Sequence, residues 1–162
     1  MGKKNGRQEE KNGKKSKARL ADERFKITLG LVFTAFSVLL LLAFISYLFT
    51  WKTDQSFEWN RVFSNPDYRV DNWSGKAGAW LANLFLNQWF GLASFSFPFM
   101  FLLIGLKLMR VRINRTGWIL RVTIISTILL SIWLGYIFKS ADGFLGSGPG
   151  GRHGLYVSDW LS

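Results

Sequence analysis

The 162-residue sequence has no cysteine, one histidine and three prolines. Without thiols there is neither a disulfide framework nor a thiolate metal site. The one histidine, His153, has no cluster of acidic or sulfur residues near it in sequence, which argues against a metal centre or a nucleophilic triad. It reads as a solvent-exposed side chain. The acidic pairs Asp67 with Asp71 and Asp142 with Asp159 stand without a neighbouring base or nucleophile, so the chain offers no catalytic constellation and no cofactor site. Acidic residues are scarce as a class, 10 against 21 Lys and Arg, and the resulting charge of +11 points to an anionic partner, either lipid or nucleic acid.

What long stretches lack is charge of either sign. From Ile27 to Phe49 there are 23 uncharged residues dominated by Leu, Val, Phe and Ile. As a helix they extend about 34 Å and cross a hydrocarbon core of about 30 Å. A chain this short has too little polypeptide to cover such a helix in a soluble core. A second uncharged run, Ala77 to Leu106, is 30 residues long, more than one span and too little for two. Asn87 and Gln88 interrupt it, Gly91 follows, and Pro98 is expected to bend what comes after. The run therefore divides into a short interfacial or re-entrant helix over 75–89 and a span over 90–109. A third span covers 118–138, with Arg121 near enough to its start to snorkel towards the headgroups.

The predicted fold class is all-α: a polytopic α-helical membrane protein with three full spans and one short interfacial or re-entrant helix. Residues 1–26, with ten basic residues and no sizeable apolar side chain between Met1 and Leu20, read as a disordered cytoplasmic tail. The segment is not a secretory signal, because the following apolar run is too long and lacks a small-residue cleavage site. Residues 50–74 form a loop rich in aromatic rings that suits the headgroup layer or, secondarily, another protein. Residues 110–117 form a basic turn, and 139–162 a glycine-rich segment.

Lys and Arg are retained on the cytoplasmic side, which assigns the amino terminus and the basic turn there and both the loop 50–74 and the segment 139–162 to the periplasm. The topology and lipid contacts fall on Lys14, Lys15, Lys17, Arg19, Arg24, Lys26, Lys107, Arg110, Arg112 and Arg115. The tail can bind an anionic leaflet at about 1 kcal/mol per basic residue, or DNA phosphates with strong salt dependence; lipid comes first because the tail is tethered beside it. Small residues at three- and four-residue spacing, Gly75, Gly78, Ala79 and Ala82, allow close helix packing within the chain or between subunits; Gly91 and Pro98 join them as packing residues. The glycines from Gly143 to Gly154 lack the Lys-Ser/Thr of a phosphate loop and read as a flexible surface loop. No charge lies in mid-span, which disfavours a transporter or channel.

The elements Asn72 to Ala82, Phe90-Gly91-Leu92-Ala93-Ser94-Phe95 with Pro98, and Gly105 before the basic turn resemble the amino-terminal membrane region of the FtsK/SpoIIIE DNA translocases. Gly150, Gly151 and Gly154 resemble that family's approach to its last membrane segment. The resemblance runs over about residues 25–162. It implies a four-segment inner-membrane anchor acting in cell division and chromosome segregation, joined to a hexameric ATP-driven motor that moves double-stranded DNA through the septum. Homo-oligomerisation, contacts with cell-division proteins, and ATP and magnesium in the motor are implied likewise. The chain stops short of the last segment and the motor, so DNA would be reached only through the missing part. The competing expectation is a self-standing membrane adaptor whose basic tail recruits partners or anionic lipid.

Overall fold

A computed structural model describes the backbone of residues 2–54, 69–139 and 143–161, with side chains described from residue 22 onward. The described residues are helical apart from short turns, with one isolated bridge between Gly143 and Gly146. Helix α1 runs Gly2–Asp54. Helix α2, Gly75–Ala82, passes directly into a π-helical segment, Asn83–Trp89. A 3-10 segment, Gly91–Phe95, leads into α3, Ser96–Leu108; α4 is Thr116–Ile137 and α5 is Gly151–Leu161. Three stretches are long and apolar enough to cross a membrane: Asp22–Thr53, Gly91–Leu108 and Thr116–Ile137.

The backbone of residues 2–21 is helical and continues α1, whereas the composition pointed to disorder. The span supplies a ready nucleus, so each further residue adds a hydrogen bond without the cost of starting a helix. Lys, Arg, Glu, Gln and Ala are also good helix formers. Pro98 is placed early in its helix. It lies in the first turn of α3, where its missing N–H costs no intrahelical bond. The departure from regular α geometry lies upstream, in the π and 3-10 segments.

Helices α1 and α3 pack antiparallel. Phe101 of α3 lies 5.8 Å from Phe33 and 5.0 Å from Phe36, and Ser37 Oγ donates to Pro98 O at 2.6 Å. The backbones come close where Gly30 meets Gly105, since a methyl group on Gly30 would sit 2.7 Å from Gly105 O. The core proper lies further along α1, where Leu40, Ala43, Phe44 and Tyr47 meet Ala82, Phe85, Leu86 and Leu145.

Helix α4 stands apart: 11% of its span is buried, against 39% for Gly91–Leu108. Lipid tails are as apolar as its own side chains, so no hydrophobic force drives it onto the bundle, and small or polar contacts must hold it. Ser96 and Thr127 share a 2.6 Å hydrogen bond, and Ser131 and Gly135 receive α5. Among the described residues, only α1, α3 and α4 occupy the half of the bundle beside the turn 109–115. The opposite half also holds α2, the π and 3-10 segments and α5.

Candidate functional site

Six basic residues gather at one end. Arg24, Lys26, Lys107, Arg110, Arg112 and Arg115 are all exposed there, while the side chains of Lys14, Lys15, Lys17 and Arg19 lie outside the described residues. Lys26 pairs with Asp22 at 2.6 Å, and Arg110 reaches across from α3 to Glu23 of α1, also at 2.6 Å. Arg110 and Arg115 adopt left-handed backbone, at φ 67° and 57°, where α3 ends and α4 begins. The Val111 and Met109 amides close the last turn on Leu106 O and Gly105 O, satisfying carbonyls that the helix leaves open. Because Arg110 is exposed and Glu23 is partly exposed, Glu23→Gln should change the unfolding free energy in detergent by no more than about 1 kcal/mol. A loss well beyond that would mean that this pair holds α1 against α3.

Near the other end, the chain returns to α1 through Asn72, Trp73 and Ser74. The Asn72 amide donates to Ala43 O at 3.0 Å, and its carbonyl oxygen accepts from Ser74 N at 3.0 Å. Trp73 N donates to Ser46 Oγ, and Ser74 Oγ to Leu39 O. With a hydrocarbon core of about 30 Å beginning near Lys26, the far boundary falls near Ser46, and Leu39 lies about 10 Å inside it. From there α2 climbs back, since Tyr47 Oη donates to Asn83 Oδ1 at 3.1 Å. Along α1 the 75–89 segment therefore starts level with Leu39 and returns to the level of Tyr47. Its irregular start is tolerated because every polar group at the apex named here has a partner on α1 or within the turn. Gly78, Ala79 and Ala82 are buried, Gly78 against Ala43; Gly75 is exposed.

A second junction at this end joins elements remote in sequence. Leu92 N donates to Pro149 O at 2.8 Å, and the backbones of Gly91 and Gly151 touch directly. Ser131 Oγ donates to Gly150 O at 2.8 Å and lies 3.2 Å from His153 Nδ1. The His153 ring rests edge-on against Phe90, centroids 5.0 Å apart. Gly154 crosses α4 between Ser131 and Gly135, and Ser147 Oγ donates to Asn87 Oδ1 at 2.7 Å.

The sequence reading of Gly143 to Gly154 as a flexible loop, and of His153 as solvent-exposed, is thus corrected. Gly148 to Gly151 are buried, and His153 is half-buried. These glycines serve backbone approach rather than mobility. The signal was available in Gly150 and Gly154, four apart, facing Ser131 and Gly135, also four apart, which is the small-residue pattern of close membrane-helix crossings. Pro98 and Gly91 are both buried, the first against Ser37 and the second in this junction. Among the described residues no group of His, Asp or Glu is placed to hold a metal ion. The arrangement orients helices and presents surfaces.

Residues 22–162 match the family model described as the 4TM region of DNA translocase FtsK/SpoIIIE. No curated protein and no solved structure matches the chain.

Proposed function

Because the chain belongs to the family of four-transmembrane regions of FtsK/SpoIIIE DNA translocases, we propose that it tethers a cytoplasmic ATP-driven DNA motor at the division septum of the bacterial inner membrane. These residues hold no enzymatic domain, so their contribution is positional. Fixing several motors in one patch of membrane raises their effective concentration for assembly. In this reading the anchor is a homo-oligomer, a hexamer if it follows the motor, and it meets cell-division proteins. ATP, magnesium and double-stranded DNA concern the motor alone.

The observation that carries the reading is the family match across 22–162. The clustering of Arg24, Lys26, Lys107, Arg110, Arg112 and Arg115 at one end of the bundle supports the orientation, because the side rich in Lys and Arg stays cytoplasmic. Two fusions test it. A reporter active only outside the cytoplasm should be silent after Arg112 and active after Ser162, and the reverse pattern would invert the proposed topology. A fluorescent fusion of the chain should collect as a band at midcell. An even distribution around the membrane would sink the septal role and favour the adaptor.

A further inference from the structure

Beside the glycine junction lies an open cavity of about 360 Å³, lined by Gln88, Trp89, Phe90, Arg152, His153 and Tyr156. Its walls are ring faces and aliphatic carbon. A second, polar cavity of about 270 Å³ is lined by Asn87, Gln88, Gly146, Ser147 and Arg152. The two share Gln88 and Arg152, so they form one groove with an apolar half and a polar half. Binding clefts of this size typically pair an apolar lining with a few orienting polar groups.

We propose that this groove is a phospholipid site, with acyl chain against Trp89, Phe90 and Tyr156 and the phosphate on Arg152. Three observations commit it to that occupant. The first is depth: Asn83 is level with Tyr47, which is about 32 Å along α1 from Lys26, so the adjoining Asn87 and Gln88 sit at the headgroup layer of the far leaflet. The second is charge. Among the described residues no carboxylate pairs with Arg152, and Asp159, two turns further along α5, is held by Lys139 at 2.8 Å. A guanidinium binds a phosphate through two parallel hydrogen bonds, which a water-facing Lys would not match. The third is the order of the two halves, since a headgroup and a chain are joined in the same sequence as the polar and apolar walls.

The site has no part in the motor-tethering reading and stands or falls separately. Its test is native mass spectrometry of the full chain released from detergent in the presence of phosphatidylglycerol, diacylglycerol or inorganic phosphate. Phosphatidylglycerol should remain bound, and the adduct should fall by about tenfold or more in Arg152→Gln, as expected for loss of a charge-assisted contact. Arg69→Gln, an exposed basic residue that does not line the groove, should retain it. Photoactivatable phosphatidylglycerol in bilayer discs should cross-link to peptides containing Trp89 or Tyr156, which reads the site without relying on the variant's folding. Equal retention in Arg152→Gln, equal binding of diacylglycerol, displacement by millimolar inorganic phosphate, or cross-links confined to α4 would each overturn the proposal.

Discussion

Gly91→Ala should be the most damaging single-methyl change in the chain, lowering the unfolding free energy in detergent by about 3 kcal/mol. Gly91 has φ +64°, a backbone region that costs an L side chain about 1–2 kcal/mol. Its Cβ would also run into Pro149 O, Gly151 N and Gly150 C, all main-chain atoms. No rotamer can relieve that collision, so the junction between the 3-10 segment and α5 has to open. Gly151→Ala, at φ +66° and pressed against Gly91 N and Trp89 O, should behave the same way. Gly117→Ala, in helix and with nothing near its added methyl, should be neutral or slightly stabilising. The thermal midpoints of the three variants decide the matter, and a Gly91→Ala protein that melts with the parent would refute the contact.

Asn72→Ala should release the apex at which the chain enters beside α1. The side chain is 4% exposed and makes both a bond to Ala43 O and one from Ser74 N. Its loss leaves the Ser74 amide unpaired where water is scarce, at a cost of about 2–3 kcal/mol. Because the chain has no cysteine, a single thiol placed by Ala77→Cys reports on that site alone. A membrane-impermeant maleimide should modify it slowly with Asn72 present and about tenfold faster or more without it, following the shift in local opening. Unchanged labelling would mean that Asn72 does not hold the apex in place.

The three spans and the short helix were legible in the sequence because a bilayer imposes a local rule. A segment without charge and about 20 residues long is sufficient to mark a crossing, and the runs Ile27 to Phe49 and Ala77 to Leu106 met that rule without knowledge of any neighbour. The break near Asn87 and Gly91 was also visible, since polar and glycine residues interrupt the run where the π and 3-10 segments occur. The junctions were harder to read because their partners are far apart in the chain. Nothing near His153 announces Ser131, and nothing near Gly91 announces Gly151. A run of glycines supports two opposite interpretations, backbone freedom or backbone contact, and only the facing Ser131 and Gly135 decide between them. The continuation of α1 through residues 2–21 was missed for another reason: composition measures what a segment can bury, whereas an attached helix extends by propagation.

The uneven filling of the bundle has a mechanical consequence. Three rods pass through the half beside the turn 109–115, while α2, the irregular segments and α5 crowd the other half. Among the described residues, more segments therefore fill the end that holds α2, the irregular segments and α5 than the end beside the turn. An inclusion wider at one end is accommodated with least stress where the sheet already bends the same way, so the described bundle should partition into curved vesicles in preference to flat ones.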